Sequence, residues 1–545
     1  MRVYKIVSLV ILSLVLVSCS TTISESESIN LKQFNYPVLK GKDNNPVLRV
    51  CFYSKNRKNI LQNVKINLGE TNTFNLSEVR VFYTGKDSVF KTNVQFGKTI
   101  KDLNKTIVNG NQVLQKGKNY LWISYKLSDA LNLTEKLSAE IDYLSINDKK
   151  IKSKKFKSIK LRTGSVVRQQ WQDSVHTYRI PGLATSNKGT LLAVYDVRRE
   201  KGGDLQGNID IGLSRSLDKG QHWEPMQIVL DMKTYGNLPE KFNGVSDASV
   251  LVDKNTNDIY IAGLWMHGVI NKEGTWVEGL NDKSKDWNHQ WRNKGSQPGL
   301  SIKQTSQFLV TKSSDDGKTW GKPINLTKMC KDPKWWLLAP APGHGITLKD
   351  GTLVFPTQGR DEEGLPFSNI TYSKDSGKTW KTSNAASHDT TESMAVELSD
   401  GSVMLNMRDN KNGKEKGDKN GRSIAVTTNL GDTWTEHVTS NGTLIEPKCM
   451  ASIHRHKYKD TEGNPKSILL FSNPNSKFKR HKQTIKVSFD DGLTWPEKYW
   501  TELDAGKGSG YSCLTSVDEN TIGILYEGSQ AQMTFQKILI SELIN

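Results

Sequence analysis

An arginine followed by Ile-Pro stands at Arg179, in the motif Tyr178-Arg179-Ile180-Pro181. A guanidinium group stays charged at every working pH, and its planar fork of N–H donors matches a carboxylate in a bidentate pair. Such a residue can hold an anionic group of a ligand. A single arginine is more often a surface residue, so the motif indicates a site only together with other residues.

The cysteines do not indicate a metal site. The five are Cys19, Cys51, Cys330, Cys449 and Cys513. None belongs to a Cys-x-x-Cys pair or to a Cys/His cluster with the spacing of metal ligands. Apart from the first, which has a context of its own, we expect them to be buried thiols, either free or paired.

A short turn motif, written five times, is the element that positions any functional residues. Each copy follows Ser/Thr-x-Asp-x-Gly-x-Thr-Trp, with His for Thr in the first copy and Asn for Asp in the fourth. The pattern is typical of a tight hairpin turn in which the Asp carboxylate accepts backbone N–H bonds, Gly takes a positive φ and Trp packs on the flanking strands. Such turns indicate the scaffold and not the chemistry. The copies span residues 216–223, 313–320, 373–380, 427–434 and 488–495.

The recurrence of the motif predicts a β-propeller. A repeat of roughly 50 residues suits blades of four strands. The interval between Trp223 and Trp320 is wider than the others. It predicts either a repeat unit without the motif or a long insertion. A loop rich in Trp, Lys and Asn falls within it, at residues 265–300.

The composition favours an all-β chain of more than one domain. Its 545 residues suffice for two or more domains, and short strand-like runs alternate with Gly, Asn, Asp and Lys turns.

The formal net charge of +18 can indicate that the protein binds nucleic acid, a membrane surface or an acidic substrate. Because the lysines are mostly scattered and no nucleic-acid-binding module is visible, we expect a solvated basic surface and no nucleic-acid partner.

The first residues resemble a bacterial lipoprotein signal. Arg2 and Lys5 precede an apolar segment at residues 6–17, which is too short for a usual membrane span. Leu16-Val17-Ser18-Cys19 then predicts cleavage before Cys19 and lipidation of its thiol. The alternative is an ordinary signal peptide that is cut nearby.

The residue after that cysteine, Ser20, resembles the pattern that is sent to an outer membrane. We therefore expect a signal peptide at residues 1–18 and a polar tether at residues 19–33. The mature protein is expected in the bacterial cell envelope, lipid-anchored to the outer membrane.

Residues 34–162 contain short alternating runs, such as Val47–Tyr53 and Tyr120–Tyr125, but no copy of the turn motif. The pattern predicts a separate β-sandwich. Two functions remain open for it, a carbohydrate-binding module and a spacer. The first requires exposed aromatic side chains.

The Arg-Ile-Pro motif and the five turns together resemble the bacterial exo-sialidases (neuraminidases) of glycoside hydrolase family 33, of the kind found in Bacteroides-like bacteria. The resemblance covers roughly residues 165–545. It implies a six-bladed β-propeller over residues 163–545. It also implies an enzyme that hydrolyses terminal, α-ketosidically linked sialic acid from glycoproteins, glycolipids and oligosaccharides, with no cofactor and no metal.

Family sialidases hold the substrate carboxylate with three arginines, since sialic acid carries this group on its anomeric carbon. The resemblance assigns the first to Arg179 and the second to Arg408, in Leu405-Asn-Met-Arg408-Asp409. The third is assigned to Arg480, which precedes the fifth turn. Arg455 is the alternative, but the family places this arginine a few residues before the strand that leads into the last turn.

The family nucleophile is a tyrosine, and Tyr511 in Gly510-Tyr511-Ser512 matches its position. A carboxylate nucleophile would be repelled by the carboxylate of the substrate, whereas a neutral phenol is not. A phenol has a pKa of roughly 10 and needs a base. Glu392, in Thr391-Glu392-Ser393, matches the family's base. Glu397, on the same strand, is the alternative and is expected to face elsewhere.

The general acid/base of the family is an aspartate on a mobile, Gly-rich loop, and Asp204 in Gly202-Gly203-Asp204 matches it. Apolar surroundings in the closed site are expected to raise its pKa, so that it protonates the leaving oxygen. Asp196, in Tyr195-Asp196-Val197-Arg198, is the alternative, but the family pattern makes it structural.

Three further residues are carried over from the resemblance. Arg198 resembles a residue near the N-acetyl pocket, and Asp247 resembles an acidic residue beside the acid loop. Glu527 resembles the carboxylate that fixes the first arginine. Because an unpaired buried cation is costly, a partner of this kind is also expected on physical grounds.

The implied mechanism retains configuration at the anomeric carbon. Asp204 protonates the glycosidic oxygen, and Tyr511, deprotonated toward Glu392, forms a tyrosyl–sialosyl intermediate. Water then attacks with Asp204 as the base. The implied partners are sialylated glycans and, through the lipid anchor, a membrane. Two alternatives use the same propeller, a sialic-acid-binding lectin or adhesin and a trans-sialidase that transfers the sugar to an acceptor.

Overall fold

Short strands separated by tight turns form eight β-sheets in the computed structural model, which describes residues 29–154 and 156–545. The fold is all-β, as the sequence predicts. The signal peptide and the lipidated Cys19 predicted from the sequence lie outside the described residues. In the described ranges, no helix is long and apolar enough to cross a membrane.

Two of the eight sheets are built by residues that precede the first turn motif. One sheet has the strand order β1-β3-β7-β5 and the other β10-β9-β4-β6. Val50, Leu121 and Leu144 are buried in one apolar core to which both sheets contribute. The strands of this part of the chain, of which β2, β8 and β11 belong to a different sheet, are β1 (Asn30–Lys32), β2 (Val38–Lys40), β3 (Asn45–Ser54), β4 (Ile60–Asn67), β5 (Leu76–Gly85), β6 (Ile107–Val113), β7 (Gly117–Leu127), β8 (Lys136–Leu137), β9 (Glu140–Ile146), β10 (Lys149–Lys152) and β11 (Leu161–Arg168).

The other six sheets follow one another along the chain, and we number them I to VI. Sheets I and II contain β12 (Thr177–Thr185), β13 (Leu191–Arg198), β14 (Ile209–Ser216) and β15 (Gln227–Leu230), then β16 (Val245–Val252), β17 (Ile259–Trp265), β18 (Gln307–Ser313) and β19 (Ile324–Asn325). Sheet III contains β20 (Leu337–Pro340), β22 (Ile346–Thr347), β23 (Leu353–Arg360), β24 (Pro366–Ser373), β25 (Lys381–Thr382) and β26 (Ser387–His388), whereas β21 (Gly343–His344) joins sheet II.

Sheets IV to VI complete the series. Sheet IV contains β27 (Thr390–Glu397), β28 (Val403–Asp409), β29 (Ser423–Thr427) and β30 (Thr435–Glu436), and sheet V contains β31 (Ser452–Lys459), β32 (Pro465–Pro474), β33 (His481–Ser488) and β34 (Thr501–Lys507). Sheet VI contains β35 (Ser512–Asp518), β36 (Thr521–Tyr526) and β37 (Met533–Leu539). The α-helices of the described ranges are single turns, α1 (Thr327–Cys330) and α2 (Ser541–Ile544).

Short 3-10 helices make up the remaining helical turns of the described ranges. They span Thr73–Asn75, Gln172–Ser174, Tyr235–Asn237, Glu240–Phe242, Asn410–Gly413 and Glu497–Tyr499.

The inner strands of the six sheets contact one another in a cyclic order. Strand β12 packs against β16 and β35, β16 against β20 and β22, β23 against β27, β27 against β31, and β31 against β35. Apolar cores lie between neighbouring sheets. Leu213 and Val250, for example, share the core between sheets I and II. This arrangement brings the ends of inner strands from distant parts of the chain to one place.

Sheet VI is completed by a strand from the beginning of the series. Strand β11 pairs antiparallel with β37, and β2 pairs parallel with β11 on its outer side. The sheet order is therefore β2-β11-β37-β36-β35. The predicted domain boundary at residues 162 and 163 falls within β11.

The five turn motifs adopt one conformation. At each turn the glycine has a φ between +77° and +89°. The side-chain oxygen of the Asp or Asn accepts the backbone N–H four residues later, at 2.9 to 3.0 Å. Three of the tryptophans, Trp320, Trp380 and Trp495, donate their indole N–H to the glycine carbonyl of their own turn. The turn chemistry expected from the sequence is confirmed.

The wide interval between the first two turns is an insertion and not a repeat unit without the motif. Strands β17 and β18 are antiparallel neighbours in sheet II, yet residues 266–306 separate them. We call these residues the sheet II insertion. Trp223 and Trp320 thus belong to consecutive sheets.

The histidine in the first turn replaces threonine and connects two parts of the molecule. His222 Nδ1 lies 2.6 Å from Asp218 Oδ2, where Thr319 Oγ1 of the second turn donates to Asp315 Oδ2. His222 Nε2 lies 3.0 Å from Lys40 Nζ. Because an ammonium group only donates, Nε2 is the acceptor and Nδ1 carries the proton. The first turn therefore contacts strand β2 of the N-terminal region.

Replacing the turn aspartate tests its contribution to stability. Asp490 accepts from Thr494 N at 2.9 Å, Thr494 Oγ1 at 2.6 Å and Ser488 Oγ at 2.7 Å. We expect Asp490→Ala to lower the free energy of unfolding by about 1–2 kcal/mol, as loss of a capping side chain does. We expect Asp490→Asn to cost less, because Asn429 of the fourth turn keeps two of these bonds and reverses the third, its Nδ2 donating to Thr433 Oγ1. Urea unfolding measures both variants.

The pH dependence of that difference is a second check. Burial raises the pKa of Asp490, but the bonds from Thr494 and Ser488 outweigh it, and the pKa lies below its ordinary value. The stabilisation is therefore present above the ordinary aspartate pKa and is lost as the pH falls through the folded-state pKa. Equal unfolding midpoints for the wild type and Asp490→Ala at neutral pH would contradict the assignment.

Candidate active site

A cavity of about 400 Å³ opens where the beginnings of several inner strands meet. Strands β12, β16, β27 and β28 each deliver one of its charged side chains, and Tyr511 lies just before β35. Seven of the nine predicted site residues line it. They are Arg179, Asp204, Asp247, Glu392, Arg408, Arg480 and Tyr511.

The same backbone irregularity re-aims side chains at the start of three inner strands. In β12, β16 and β27 the pairing register with the next strand shifts within the first few residues, as at a β-bulge. At two of these bulges a non-glycine residue takes a positive φ, Ile180 at +63° and Asp247 at +61°. The shifts fall between Arg179 and Gly182, between Ser246 and Ser249, and between Thr390 and Ser393.

Glu527 lies behind the cavity wall and joins two site residues. Its Oε1 accepts from Arg179 Nε at 2.5 Å and from Ile180 N at 3.0 Å, and its Oε2 accepts from Tyr511 N at 3.1 Å. Burial raises the pKa of Glu527, but the charge and hydrogen bonds of Arg179 outweigh it, so the pKa lies below its ordinary value. The carboxylate therefore fixes Arg179 in the manner expected from the sequence.

The hydroxyl of Tyr511 lies within a buried network of opposite charges. It donates to Glu392 Oε1, and Arg408 Nη1 donates both to Glu392 Oε2 and, at 2.8 Å, to the Tyr511 oxygen. Burial, followed by the negative charge of Glu392, raises the pKa of Tyr511 well above its ordinary value. The phenol is therefore neutral in this state, and its proton points at a carboxylate.

Three guanidinium groups surround the Tyr511 ring. Arg179 and Arg480 lie 5.3 and 5.4 Å from its centroid, and Arg408 bonds its hydroxyl. Arg480 is held by the carbonyl oxygens of Ser509, at 2.9 Å, and Lys448, at 3.1 Å. No carboxylate pairs with Arg480 at ion-pair distance within the described ranges. Its charge is thus available to an anionic ligand.

The two alternatives considered for site positions lie elsewhere. Arg455 donates to Glu397 O at 2.7 Å and forms an ion pair with Asp491 of the fifth turn. Glu397 accepts from Lys349 N at 3.2 Å. Both line a second cavity, which does not include Tyr511. The structure therefore brings Arg480 and Glu392, and not these two residues, to Tyr511.

Asp204 sits at the cavity edge with half of its side chain exposed. Its Oδ1 accepts from Arg198 Nη1 at 2.6 Å, and its Oδ2 lies 3.5 Å from His289 Nε2. Burial raises its pKa, but the His289 contact and the charge of Arg198 outweigh it, and the pKa lies below its ordinary range. The raised pKa expected from the sequence is wrong for this conformation, because polar donors and not apolar groups face the carboxylate.

Arg198 does not line the cavity. It is fully buried beneath it, donating to Asp196 Oδ2 at 2.9 Å, to Gly202 O at 2.9 Å and to Asp204. Arg198 thus supports the loop that carries Asp204 from beneath the cavity, and its place near an N-acetyl pocket stays a prediction. Asp196 also accepts from Ser246 Oγ at 2.7 Å, which agrees with the structural role expected for it.

Asp247 is buried in the cavity wall next to other acids. Its backbone N–H donates to Asp196 Oδ1 at 3.0 Å, and Gln358 Nε2 donates to its Oδ2 at 3.4 Å. Burial, followed by the charges of Asp196 and Glu392, raises its pKa well above the ordinary value. A protonated Asp247 can donate a hydrogen bond into the cavity.

Several cavity residues carry no motif that sequence reasoning used. The sheet II insertion contributes His289, Gln290, Trp291 and Arg292, and its abundance of Trp, Lys and Asn was the one signal for it. Others lie in β23, in β24 or in connections between strands, and had no such signal. These are Gln358, Arg360, Gly364, Pro366, Asn410 and Lys448.

None of the cysteines in the described ranges lines this cavity. Cys51, Cys330, Cys449 and Cys513 are all free, and three of them are buried. Of the two possibilities left by the sequence, free thiols are thus found. In the described ranges no group of three or more His, Cys, Asp or Glu side chains has the geometry of a metal site.

The chemistry open to this cavity follows from its charges. Arginine side chains near one point can bind a carboxylate in a dry, preorganised pocket. A phenol whose proton faces a carboxylate can act as a nucleophile when that carboxylate accepts the proton. Asp204, on the opposite edge, can exchange a proton with a leaving or entering oxygen.

Two family models match the chain. The model described as a BNR repeat-like domain matches residues 180–498, and the model of the N-terminal domain of BNR-repeat neuraminidase matches residues 26–150. Together they span most of the chain that the structure describes.

Individual relatives are similar over long stretches. A sialidase of Bacteroides fragilis is 38% identical and covers 96% of this chain and 96% of its own length. A sialidase of Clostridium perfringens is 30% identical over 65% of this chain and 86% of its own. Among solved structures, a Hadza microbial sialidase superposes with a TM-score of 0.84 at 36% identity, over 94% of this chain and 100% of that one.

Substituting Glu392 tests the electrostatics around Tyr511. Glu392→Gln removes the negative charge beside the phenol and leaves Arg408 and Arg480 in place. We expect the pKa of Tyr511 to fall, because a carboxylate raises it and the two cations lower it. The absorbance of tyrosinate against pH gives the transition, and Tyr511→Phe in the same background identifies it.

Glu397→Gln is the matched control, since Glu397 lies on the same strand but lines the other cavity. It should leave the titration of Tyr511 unchanged. An unchanged or higher Tyr511 pKa in Glu392→Gln would contradict the contact.

Proposed function

The chain belongs to the sialidase family, and on this premise we propose that it is an exo-sialidase that releases terminal, α-ketosidically linked sialic acid from glycoproteins, glycolipids and oligosaccharides. The observation that carries the proposal is the Tyr511 hydroxyl directed at Glu392, in a cavity where three arginines surround the Tyr511 ring. A carboxylate-bearing sugar requires such cations, and an uncharged nucleophile suits its anomeric carbon.

Substrate binding rests on Arg179, Arg408 and Arg480. Two of these have internal carboxylate partners, Glu527 and Glu392, so their side chains are preorganised before substrate arrives. The substrate carboxylate adds the negative charge that Arg480 lacks. The anomeric carbon, which bears this carboxylate, then lies close to Tyr511.

The reaction proceeds in two steps that retain configuration. In the first, Asp204 gives a proton to the glycosidic oxygen, the bond from the anomeric carbon to that oxygen breaks, and the Tyr511 oxygen bonds to the carbon as its proton passes to Glu392. In the second, Asp204 takes a proton from water, the water oxygen bonds to the carbon, and the tyrosyl bond breaks as Glu392 returns the proton. Sialic acid and the free aglycone are the products.

We further infer that sheets I to VI are the six blades of a β-propeller. The cyclic contacts from β12 through β31 to β35 and back support it, as does the completion of the last sheet by β11.

The two N-terminal sheets with their shared core support a β-sandwich. A carbohydrate-binding role for this sandwich needs exposed aromatic side chains, of which Tyr53 and Phe74 are examples.

A fluorogenic sialoside tests the proposed activity. We expect the wild type to release free sialic acid and Tyr511→Phe to be slower by roughly 10²–10⁴-fold, because the group acts in the transition state. Tyr260→Phe is the matched control, as Tyr260 is a buried tyrosine that donates to Ser376 O and does not line the cavity. NMR of the first product formed should show the anomer of the substrate.

The outcomes separate the alternatives. Binding of sialic acid without release by the wild type would mean a lectin, and transfer to an added acceptor sugar in place of release would mean a trans-sialidase. Near-normal turnover by Tyr511→Phe would overturn the nucleophile assignment.

We also propose that Cys19 carries a lipid that anchors the protein to the outer membrane, on the basis of the apolar segment and Leu16-Val17-Ser18-Cys19. We expect Cys19→Ala to move the protein from the membrane fraction to the soluble fraction and to abolish labelling by a fatty acid. Cys51→Ala should change neither. A membrane-bound, labelled Cys19→Ala variant would contradict the anchor.

A further inference from the structure

The acid loop, residues 199–208, is fastened to the sheet II insertion. Trp287 of the insertion donates its indole N–H to Gln206 O at 2.9 Å. In return, the Gln206 amide donates to Met266 O and Gly268 O, each at 2.8 Å. Lys201 lies over the Trp287 ring at 5.8 Å from its centroid. The insertion therefore forms one wall against the loop that carries Asp204.

A histidine of the insertion is directed at the acid/base residue by its own backbone. Trp291 N donates to His289 Nδ1 at 3.1 Å, so Nδ1 is an acceptor. A neutral imidazole has one donor and one acceptor, and the proton therefore sits on Nε2. That nitrogen lies 3.5 Å from Asp204 Oδ2. The turn from His289 to Trp291 thus selects the tautomer that presents an N–H to the carboxylate.

Both oxygens of Asp204 consequently face donors. Arg198 Nη1 meets Oδ1 at 2.6 Å from strand β13, and His289 meets Oδ2 from the insertion. Of the other charged groups that act on it, Arg179 on β12 favours the ionised form, whereas Asp196 on β13 and Asp247 on β16 oppose it. The side chain of His289 is only 15% exposed, so water competes little for its N–H.

We propose that His289 is a positioning residue for the sialidase reaction, which holds Asp204 at the cavity edge through its Nε2–H and stabilises the carboxylate form between proton transfers. The proposal rests on the proposed function. In the second step a stabilised carboxylate is the base that receives a proton from water. In the first step Asp204 must hold a proton, so the His289 contact limits protonation of the leaving oxygen as the pH rises.

The sign of the pH effect follows from these contacts. Loss of a donor to the carboxylate raises the pKa of Asp204, so more of it is protonated at a given pH. The alkaline limb of the pH profile of kcat/KM, which reports loss of the Asp204 proton in the first step, should therefore move to higher pH in His289→Phe. We expect a shift of about one pH unit, as removal of one hydrogen-bond donor to a carboxylate gives. His289→Gln restores a neutral donor and should keep the profile near that of the wild type.

A second readout separates positioning from folding. Sialyllactose has a leaving group that needs a proton, whereas an aryl sialoside with a strongly acidic phenol does not. In His289→Phe the protonated Asp204 is no longer held at the cavity edge, so transfer of its proton to the leaving oxygen slows. We expect kcat/KM, which reports the first step alone, to fall by roughly tenfold or more for sialyllactose at the optimum of the variant and by less than about twofold for the aryl sialoside. A merely structural loss would lower both rates equally.

His388→Phe is the matched control. His388 Nδ1 lies 3.5 Å from Asp361 Oδ2, the same separation as in the His289–Asp204 pair, but neither residue lines the cavity. This variant should leave the pH profile and both turnover rates unchanged, and thermal unfolding should show all variants folded.

The proposal is overturned if His289→Phe keeps the wild-type pH profile, or if it loses the same factor with both substrates. It also falls if His289→Gln shifts the profile as far as His289→Phe does. Failure of the wild type to release sialic acid from either substrate would instead remove the proposed function itself, which distinguishes the two failures.

Discussion

The structure of the site depends on the compensation of buried cations by two glutamates, both of which also hold Tyr511. Glu392 bonds Arg408 and the Tyr511 hydroxyl, and Glu527 bonds Arg179 and the Tyr511 backbone N–H. A buried guanidinium without a partner is costly, so each arginine requires its acid. Because those acids also bind the tyrosine at two points, Tyr511, Arg179 and Arg408 belong to one hydrogen-bonded unit. Arg480, which lacks such an acid, leaves a net positive charge for the ligand.

The backbone makes this unit possible by repeating one irregularity. In a regular strand the side chains alternate between the two faces of the sheet. An undistorted inner strand therefore does not direct a chosen side chain into the cavity at its end. A register shift at the start of β12, β16 and β27 supplies that freedom. Strained φ values at Ile180 and Asp247 are the local cost, and they persist because surrounding packing and hydrogen bonds over-determine them.

Sequence reasoning located most of this site because its residues belong to local motifs with a known neighbourhood. The five turn motifs predicted the repeated sheets. A recognisable pattern also lies within a few residues of four site residues, Arg179, Arg408, Glu392 and Tyr511. For the wide interval between Trp223 and Trp320, the sequence left open a repeat unit without the motif and an insertion, because spacing alone does not reveal which strands pair. It also misjudged the surroundings of Asp204.

That misjudgement has a physical cause. The pKa of Asp204 is set by Arg198, which turned out to lie beneath the loop and not in the cavity, and by His289, which comes from a segment without a motif. A contact between residues that are far apart in sequence depends on tertiary packing, which no local pattern encodes. The surroundings of Asp204, which the sheet II insertion contacts through His289, were therefore the part of the site that the sequence predicted least well.

The pairing of β11 with β37 has a consequence for the order in which the molecule is made. A ribosome delivers β11 early and β37 only after the rest of the six sheets, so sheet VI stays incomplete throughout most of synthesis. Tyr511 and Glu527 reach Arg179 only when that sheet forms. A nascent or prematurely terminated chain that lacks β37 thus has an open sheet edge and no assembled reaction centre. The contacts of Tyr511 and Glu527 with Arg179 therefore depend on a strand pairing that only the last part of the chain completes.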